Sequence, residues 1–386
     1  MRDFVYLDYA ATTPLNPIVA ERMCEVQRAN FANPSSNHIA GRQSAAVIDR
    51  AAEQIGSLLN ADPASFLWTS GATESNNLAI IGAGRHREHL GRHLVTMRSE
   101  HKAVVDVFRA LEKQGFDVTW LDGDSEGYLS AEKLEQALRD DTQLVSIMHI
   151  NNEIGTRQDI VALGTVCRER GITFHVDGAQ AVGKVAVDLA TLPVDLYSFT
   201  AHKFYGPKGV GALFVRDGYS LEPLMFGGGQ QKRLRPGTLP VDLIAGLGEA
   251  AAVAAEQLGE DEDHLGKLKA ELVQGLKSVD GVYINGPEFG AFSGILNVGV
   301  TDIEGESLLL ALEPLCVATG SACNSQSKEP SYVLQSLGRS ADEAQSAVRF
   351  SLGRLSTRDD IEFAVAHFAR AVETLRRLSP DRRVAE

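Results

Sequence analysis

Between residues 65 and 215, short runs of apolar and β-branched residues alternate with longer segments that have helical spacing. Strands this apolar, separated by helices, are typical of a mostly parallel sheet that is covered on both faces. The pattern predicts an α/β fold built on a mostly parallel seven-stranded sheet. Its predicted strands are SFLWTS (65–70), HLVTM (93–97), FDVTWL (116–121), QLVSIMHI (143–150), ITFHVD (172–177), VDLYSFT (194–200) and GVGALFV (209–215).

The pattern changes after a long helical segment, residues 241–278, that is rich in Ala, Leu, Glu and Lys. Beyond it, the strand-like runs GVYING, GILNVGV and VRFSLGR are mixed with helical patterns near 304–313 and 358–378. We therefore expect a large domain over residues 15–255. A smaller α+β domain is expected to comprise residues 1–14 and 256–386.

Composition and charge narrow the function classes. A formal net charge of −14 argues against direct nucleic-acid binding, which needs a basic face. The N-terminal residues lack the apolar core of a signal peptide, and no run approaches the ~18 apolar residues of a membrane span. Four cysteines without a C-x-x-C pair indicate free thiols rather than a disulfide framework or a zinc site: Cys24, Cys167, Cys316 and Cys323. We expect a cytoplasmic protein with no membrane partner.

Polar residues follow five of the predicted strands directly. In parallel α/β sheets, ligands bind beyond the carboxyl ends of the strands, so these residues are expected to share one pocket. They are Gly71 to Thr73, His101, Asn151 and Asn152, Asp177 with Gln180, and Thr200 with His202 and Lys203.

Several of these positions suit the three parts of a pyridoxal phosphate (PLP) site. Lys203 could form a Schiff base, and Asp177 could pair with a protonated pyridinium nitrogen. A phosphate could be bound by hydroxyls, amides and a helix N-terminus at Thr73, Thr200 and His202. Taken singly, a strand-end Asp is more often a turn residue and a lone Lys a surface group. Their coincidence at successive strand ends favours the cofactor site.

Motifs along nearly the whole chain resemble those of the cysteine desulfurases, PLP-dependent enzymes of the class V aminotransferase fold family. They include YLDYAATTP (6–14), TSGATESNNLA (69–79), SEHKAV (99–104), NNEIG (151–155), HVDGAQAVGK (175–184), AHKFYGPKG (201–209), RPGT (235–238), TGSAC (319–323) and VRFSLGR (348–354). The resemblance implies an aminotransferase-like large domain and removal of sulfur from L-cysteine. It also implies that the protein is a homodimer. The products would be L-alanine and a persulfide, whose sulfur passes to an acceptor protein, with an iron–sulfur scaffold as one candidate.

The resemblance assigns a role to each matching position. Lys203 would hold PLP and act in catalysis, and Cys323 would carry the persulfide. Asp177 would pair with the ring nitrogen, while His101 would stack on the ring and serve as the first candidate to activate the thiol. Gln180 and Asn152 would contact the phenolic-oxygen side of the ring, and Arg349, with Asn152, would bind the substrate carboxylate. The phosphate would be bound by Ala72, Thr73, Thr200, His202 and the second subunit's Thr238.

Two other functions are compatible with this fold. One is another PLP reaction, such as transamination or selenocysteine lysis, and the other is a non-catalytic sulfur-delivery subunit. Cys323, in a segment of small and polar residues, weighs against transamination. The presence of Lys203 and Asp177 as well weighs against a non-catalytic role. The acceptor pathway stays open between iron–sulfur assembly, tRNA thiolation and DNA modification.

A few positions depart from the family pattern or carry other signals. Phe226 and the pair Gln230–Gln231 stand where many relatives have a histidine and a His-Glu pair. These departures lie near the segment that is expected to span the dimer, so subunit contact there is in question. His86, His89 and His93 could indicate a metal site, but arginines surround them and we interpret them as a solvated helix end.

Overall fold

The computed structural model describes residues 4–318 and 329–378. Cys323 and the TGSAC motif therefore lie outside the described residues. The chain begins with a short strand, β1 (Val5–Tyr6), and two helices, α1 (Pro17–Ala29) and α2 (Ile39–Leu59).

The large sheet has seven strands in the order β2-β8-β7-β6-β5-β3-β4. The strand β8 is antiparallel to both of its neighbours, and the other pairs are parallel. The fold class predicted from the sequence is thereby confirmed. The strands are β2 (Phe66–Thr69), β3 (His93–Met97), β4 (Asp117–Leu121), β5 (Thr142–Met148), β6 (Thr173–Asp177), β7 (Leu196–Thr200) and β8 (Gly211–Val215).

Helices cover both faces of this sheet. On one face, Leu78, Val104 and Phe108 pack against the buried sheet residue Leu144. The opposite face is covered by a larger apolar cluster to which α2 and the 37-residue helix α7 contribute. Among the described residues, no helix is long and apolar enough to cross a membrane. The helices of this part are α3 (Ala72–His86), α4 (Lys102–Lys113), α5 (Ala131–Ala137), α6 (Ile160–Glu169) and α7 (Val241–Lys277).

The C-terminal part forms a second, smaller sheet of antiparallel strands in the order β12-β10-β9. A separate parallel pair joins β1 to β11. The expected division near residue 255 falls within α7 and stays a prediction. The elements are β9 (Val282–Asn285), β10 (Ile295–Val300), α8 (Gly305–Ala311), β11 (Leu315–Cys316), α9 (Tyr332–Ser336), α10 (Ala341–Gln345), β12 (Val348–Ser351) and α11 (Arg358–Leu378).

The N-terminal segment connects the two sheets. Leu7 donates its backbone N–H to the carbonyl of Cys316 on β11, and Tyr9 donates its own to the carbonyl of Ser351 on β12 of the small sheet. Thr13 donates its backbone N–H to the carbonyl of His202 at 2.9 Å. The segment therefore brings β12 to the carboxyl ends of the large sheet's parallel strands.

The interpretation of the three histidines as a solvated helix end is wrong for His93. His86 and His89 are exposed, whereas His93 is fully buried at the start of β3. Its two ring nitrogens lie 2.6 Å and 2.8 Å from the hydroxyls of Thr142 and Thr119. Two threonines on neighbouring strands satisfy the buried ring, and the described residues contain no group of side chains that could hold a metal.

Candidate active site

A cavity of about 460 Å³ opens at the carboxyl ends of β2, β5, β6 and β7. Because β8 is antiparallel to both β2 and β7, those two strands end at the same edge of the sheet. Predicted site residues that line this cavity are Ala72, Thr73, His101, Asn152, Asp177, Gln180, Thr200, His202, Lys203 and Arg349. The cavity thus gathers predicted site residues from Ala72 to Arg349, which are 277 positions apart in the chain.

Lys203 reaches the cavity from a short 3-10 turn, Ala201–Lys203, that follows β7 directly. Its Nζ donates hydrogen bonds to the carbonyl oxygens of Ala10 and Ala11, at 2.6 Å and 2.8 Å. Both alanines line the cavity as well. The N-terminal segment therefore holds the amino group at the cavity wall.

Asp177 ends β6 and is 5% exposed. One carboxylate oxygen accepts a hydrogen bond from Asn76 Nδ2 at 2.7 Å, and the other accepts one from the backbone N–H of Ala179 at 2.9 Å. Two donors to the buried carboxylate fix its orientation. Asn76 is itself fully buried, and the sequence analysis missed its contribution.

The N-terminus of α3 forms another wall. Gly71 precedes the helix with a φ of 153°, in the region that favours glycine, and none of the described side chains caps the helix. A Cβ added at Gly71 would lie 3.5 Å from Thr200 Oγ1. The backbone amides of the first turn and two hydroxyls, those of Thr73 and Thr200, therefore border the same part of the cavity. This arrangement suits an anion.

His202 lies beside this anion-binding wall as a neutral ring. Burial, together with the nearby charges of Lys203 and Lys208, lowers the pKa of His202 to about 4. Its Nδ1 lies 3.2 Å from the hydroxyl of Thr12. The imidazole can therefore offer hydrogen bonds at neutral pH, but no positive charge.

These groups fit pyridoxal 5′-phosphate. A lysine amine, a buried carboxylate and an uncapped helix N-terminus match the aldehyde, the ring nitrogen and the phosphate of that cofactor. In addition, Asn152 Oδ1 is buried at the cavity without a hydrogen-bond partner among the described residues. A buried polar atom in that state is suited to a ligand.

His101 is oriented by the helix that it begins. Its Nδ1 accepts a hydrogen bond from the backbone N–H of Ala103 at 3.1 Å, so the side chain caps α4. An imidazole whose Nδ1 is the acceptor carries its proton on Nε2 when it is neutral. The neutral ring can therefore donate a hydrogen bond from Nε2.

Arg349 on β12 is 4% exposed and brings a positive charge to the cavity. Its Nη1 donates to the carbonyl of Asn152 at 2.9 Å, and its Nη2 donates to Asp8 Oδ1 at 2.8 Å. Arg349 Nε has no hydrogen-bond partner among the described residues. The guanidinium is thus held in one orientation and keeps donor capacity for a carboxylate. The sequence analysis missed Asp8, although it lies in the YLDYAATTP motif.

Gln180 is fixed by a lysine that the sequence analysis also missed. Lys184, four residues further on, donates to Gln180 Oε1, while Gln180 Nε2 donates to the carbonyl of Ala10 at 2.8 Å. Burial and the charges of Lys203 and Arg349 hold the pKa of Lys184 well below its usual range. The spacing of four residues in HVDGAQAVGK is the signal that could have identified this pair.

Thr238 is exposed and lies away from the other predicted phosphate ligands of this chain. Its segment is attached to the cavity wall by an ion pair, because Arg235 Nε lies 2.8 Å from Oε1 of Glu74 in the first turn of α3. Burial acts to raise the pKa of Glu74, but hydrogen bonds from Arg235 and Ser70 outweigh it and hold that pKa below its ordinary value.

Two of the departures from the family pattern, Gln230 and Gln231, hydrogen-bond to the segment that contains RPGT or to the strand beside it. Gln231 accepts from the backbone N–H of Trp68 at 2.6 Å and donates to its carbonyl at 2.9 Å, which pairs the side chain with the edge strand β2. Gln230 accepts from the N–H of Gly237 at 3.1 Å. Both glutamines thus stabilise the RPGT region. Phe226 is 89% exposed.

The chain matches known proteins over most of its length. The family described as Aminotransferase class-V matches residues 5–363. The cysteine desulfurase IscS of Photobacterium profundum is 49% identical over 381 residues, which cover 97% of this chain and 94% of that protein. A NifS-like protein of known structure has a TM-score of 0.91 at 34% identity and covers 96% of this chain and 100% of its own. A structure of SspA in complex with cysteine has a TM-score of 0.82 at 38% identity, with coverage of 91% and 99%.

The chain therefore belongs to the class V aminotransferase family. Within that family it belongs with the cysteine desulfurases, and it is a pyridoxal 5′-phosphate-dependent enzyme. The resemblance identified from the sequence motifs is confirmed, together with the fold and the cofactor that it implied.

Proposed function

We propose that this enzyme takes the sulfur of L-cysteine onto Cys323 as a persulfide and releases L-alanine. The observation that carries the proposal is the position of Arg349. It lines the cavity with Lys203, and its backbone pairs with that of Ala318 through N–H···O distances of 2.6 Å and 3.2 Å.

The chain length supports access of Cys323 to this cavity. An extended chain spans at most about 3.6 Å per residue, so five residues reach roughly 18 Å. Cys323 is therefore bound to lie within roughly 18 Å of Ala318, which is paired with a cavity residue.

Three residues of this chain, Lys203, Asp177 and Arg349, would act on the cofactor and the substrate. Bound PLP supplies an electron-accepting ring that stabilises negative charge on the substrate's carbon atoms. Lys203 would hold the cofactor and then move the substrate's α-proton, and Asp177 would keep the ring nitrogen protonated. Arg349 would orient the carboxylate of L-cysteine through a charge-assisted hydrogen bond.

Sulfur transfer balances without an added oxidant or reductant. The Cys323 thiolate attacks the substrate sulfur, so an S–S bond forms while the substrate Cβ–S bond breaks. The electron pair of that bond stays on the carbon, which takes up a proton and becomes the methyl group of alanine. L-cysteine and a thiol thus become L-alanine and a persulfide. Only the thiolate is an effective nucleophile, and the Nε2–H of His101 is positioned to donate a hydrogen bond in the cavity.

A homodimer is part of the proposal. Thr238 is exposed, and the other predicted phosphate ligands line a cavity of the same chain without it. Phe226, in the same region, exposes a large apolar ring. We expect Thr238 to complete the phosphate site of a second copy of the chain.

The persulfide is expected to pass to an acceptor protein. An iron–sulfur scaffold is the first candidate, and the cytoplasm is the expected location. The acceptor can be identified by capture on enzyme whose Cys323 already carries the extra sulfur.

Replacement of Cys323 by Ser tests the function. Cys323→Ser should leave PLP binding intact and lower L-alanine formation by orders of magnitude, because a hydroxyl is a far weaker nucleophile toward sulfur than a thiolate. The measurements are alanine released from L-cysteine without a keto acid, and the mass of the peptide that contains Cys323.

Cys316→Ser is the matched control, because Cys316 lies on β11 seven residues before Cys323 and its pKa is raised by burial and by Asp8. It should keep most of the activity. Alanine formation by Cys323→Ser at the wild-type rate, or extra sulfur on another cysteine, would refute the proposal. A requirement for a keto acid would instead indicate transamination.

A further inference from the structure

Ser331 is the N-cap of α9, eight residues after Cys323, and its side chain is bonded to Glu153, the residue that follows Asn152 of the cavity wall. Its Oγ donates to Glu153 Oε2 at 2.6 Å and accepts from the backbone N–H of Leu334 at 3.2 Å. Ser331 and Glu153 are 3% and 4% exposed. The hydroxyl proton is therefore committed to the glutamate.

Neighbouring contacts hold the same end of the segment. The hydroxyl of Tyr332 donates to the carbonyl of Glu100 at 2.7 Å, directly before His101. Val333 and Leu334 pack in a small buried cluster with Ile154, directly after Glu153. Thus α9 is attached to the two segments that carry His101 and Asn152.

Glu153 is itself part of a rigid turn. Asn151 Oδ1 accepts hydrogen bonds from the N–H groups of Glu153 and Ile154, at 2.8 Å and 3.1 Å. Asn152, between them, offers its carbonyl to Arg349. The anchor of Ser331 and the guanidinium that is expected to bind substrate are therefore fixed to the same short turn.

We propose that Glu153 and Ser331 are positioning residues for sulfur transfer, which fix the C-terminal end of the Cys323 segment beside the substrate. The inference rests on the proposed function of Cys323. Ala318, paired to Arg349, and Ser331, bound to Glu153, are described residues on the two sides of Cys323 in the chain, and both are fixed to elements of the active site. Release of one end enlarges the volume that the thiol samples and lowers its effective concentration at the substrate.

Single and double variants test the inference. Ser331→Ala and Glu153→Ala should each lower kcat for alanine formation about tenfold or more, since a small misplacement of a reacting group can cost up to about a hundredfold. The double variant should lose little beyond the Ser331→Ala variant, because both changes remove the Ser331–Glu153 hydrogen bond and only Ser331→Ala also removes the bond from Leu334. KM for L-cysteine and the absorbance of bound PLP should stay near wild type.

Ser336→Ala is the matched control. Ser336 lies on the same helix, but its hydroxyl donates to the carbonyl of Val333 at 2.7 Å and not to the active-site wall. This variant should keep kcat within about twofold, since a helix-surface serine contributes little to the anchor. Ser331→Thr keeps the hydroxyl and should restore most of the activity.

Several results would overturn the inference or the proposed function on which it rests. The inference is overturned if Ser331→Ala keeps wild-type kcat, or if the two single losses add fully in the double variant. If either Ala variant fails to fold, Ser331→Gly, which removes the hydroxyl at a helix N-cap position where glycine is tolerated, must still lower kcat, and a wild-type kcat in that variant overturns the inference. If wild-type enzyme places no persulfide on Cys323, the proposed function fails, and the anchor fails with it.

Discussion

Residues 8–11 orient two basic side chains that line the candidate active-site cavity. Ala10 and Ala11 accept hydrogen bonds from Lys203, and Asp8 accepts one from Arg349. Because these partners are far apart in sequence, the role of Asp8 depends on the tertiary fold. Lys203 and Asp177 could be predicted because each stands at the end of an apolar strand, whereas Asp8, Asn76 and Lys184 lack such a local signal.

Asp8→Ala should raise KM for L-cysteine more than it lowers kcat. A hydrogen bond to a charged group contributes roughly 1.5–3 kcal/mol, so an increase in KM of about tenfold or more is expected when Arg349 loses its orienting partner. Steady-state kinetics over a range of L-cysteine concentrations measure this. Asp122→Ala, which breaks an exposed ion pair with Arg98 at 3.4 Å, serves as the control and should leave KM unchanged. An unaltered KM in Asp8→Ala would show that Arg349 does not bind the substrate carboxylate.

Glu153 should make folding stability depend on pH. Burial raises its pKa from 4.5 to about 7, although the hydrogen bond from Ser331 and the charges of Arg349 and His101 oppose the shift. Below pH 4.5 the carboxyl is protonated in both states. As pH rises from 4.5 to 7, the unfolded chain loses this proton before the folded chain does, so stability falls by about 3 kcal/mol and then levels off.

Denaturant unfolding at pH 5 and pH 7.5 measures this loss. Glu153→Gln cannot ionise, so its free energy of unfolding should fall less than that of wild type between the two pH values. Glu373→Gln changes a glutamate whose ion pair with Arg377 is exposed, and it should keep the wild-type dependence. Equal pH dependence in Glu153→Gln and wild type would contradict the raised pKa.

At the scale of elements, prediction succeeded where apolar runs were continuous. The run HLVTM coincides with β3, and ITFHVD coincides closely with β6. The helices α1 and α2 were not predicted, because their buried faces carry few large apolar residues. In α2 that face includes Ala51 and Gly56, and a Cβ on Gly248 of α7 would lie 2.6 Å from Ala51 Cα. Close packing of small residues therefore supplements the large apolar residues of that face, Ile48, Ile55 and Leu59.

Gly71→Ala tests the N-terminus of α3 as the phosphate-binding element. An alanine is disfavoured at a φ of 153°, and its methyl group would lie 3.5 Å from Thr200 Oγ1. The strain should weaken PLP binding about tenfold or more, since backbone strain of this kind costs of order 1–3 kcal/mol. The dissociation constant for PLP, followed by absorbance, is the measurement.

Gly218→Ala separates strain from cavity effects. Gly218 has a φ of 84°, is exposed, and has no described atom within 4 Å of an added Cβ. This control should lose some stability and still bind PLP as wild type does. If both variants bind PLP equally well, the α3 N-terminus does not hold the phosphate.

At the scale of the whole molecule, the fold joins a large sheet, a small sheet and an N-terminal segment around one cavity. The small sheet supplies Arg349, and the N-terminal segment supplies the partners of Lys203. The sequence motifs identified these pieces in order, but they could not show how the RPGT segment relates to the cavity, because that depends on tertiary and quaternary contacts. In a single chain, Thr238 is exposed, which leads to the test of a shared site.

Mixing inactive variants tests whether two chains share each active site. Thr238→Arg and Lys203→Ala should each be inactive, the first because a bulky side chain disrupts the neighbouring phosphate site. If Thr238 acts across a dimer, a mixed dimer keeps one intact site, which combines Lys203 of one chain with Thr238 of the other. Activity should therefore return after subunits exchange, as measured by alanine release.

Lys203→Ala mixed with Arg349→Ala is the control, because these two residues line the cavity of one chain and no intact site can form. Proven subunit exchange without recovery in the first mixture, or recovery in the second, would contradict the composite site.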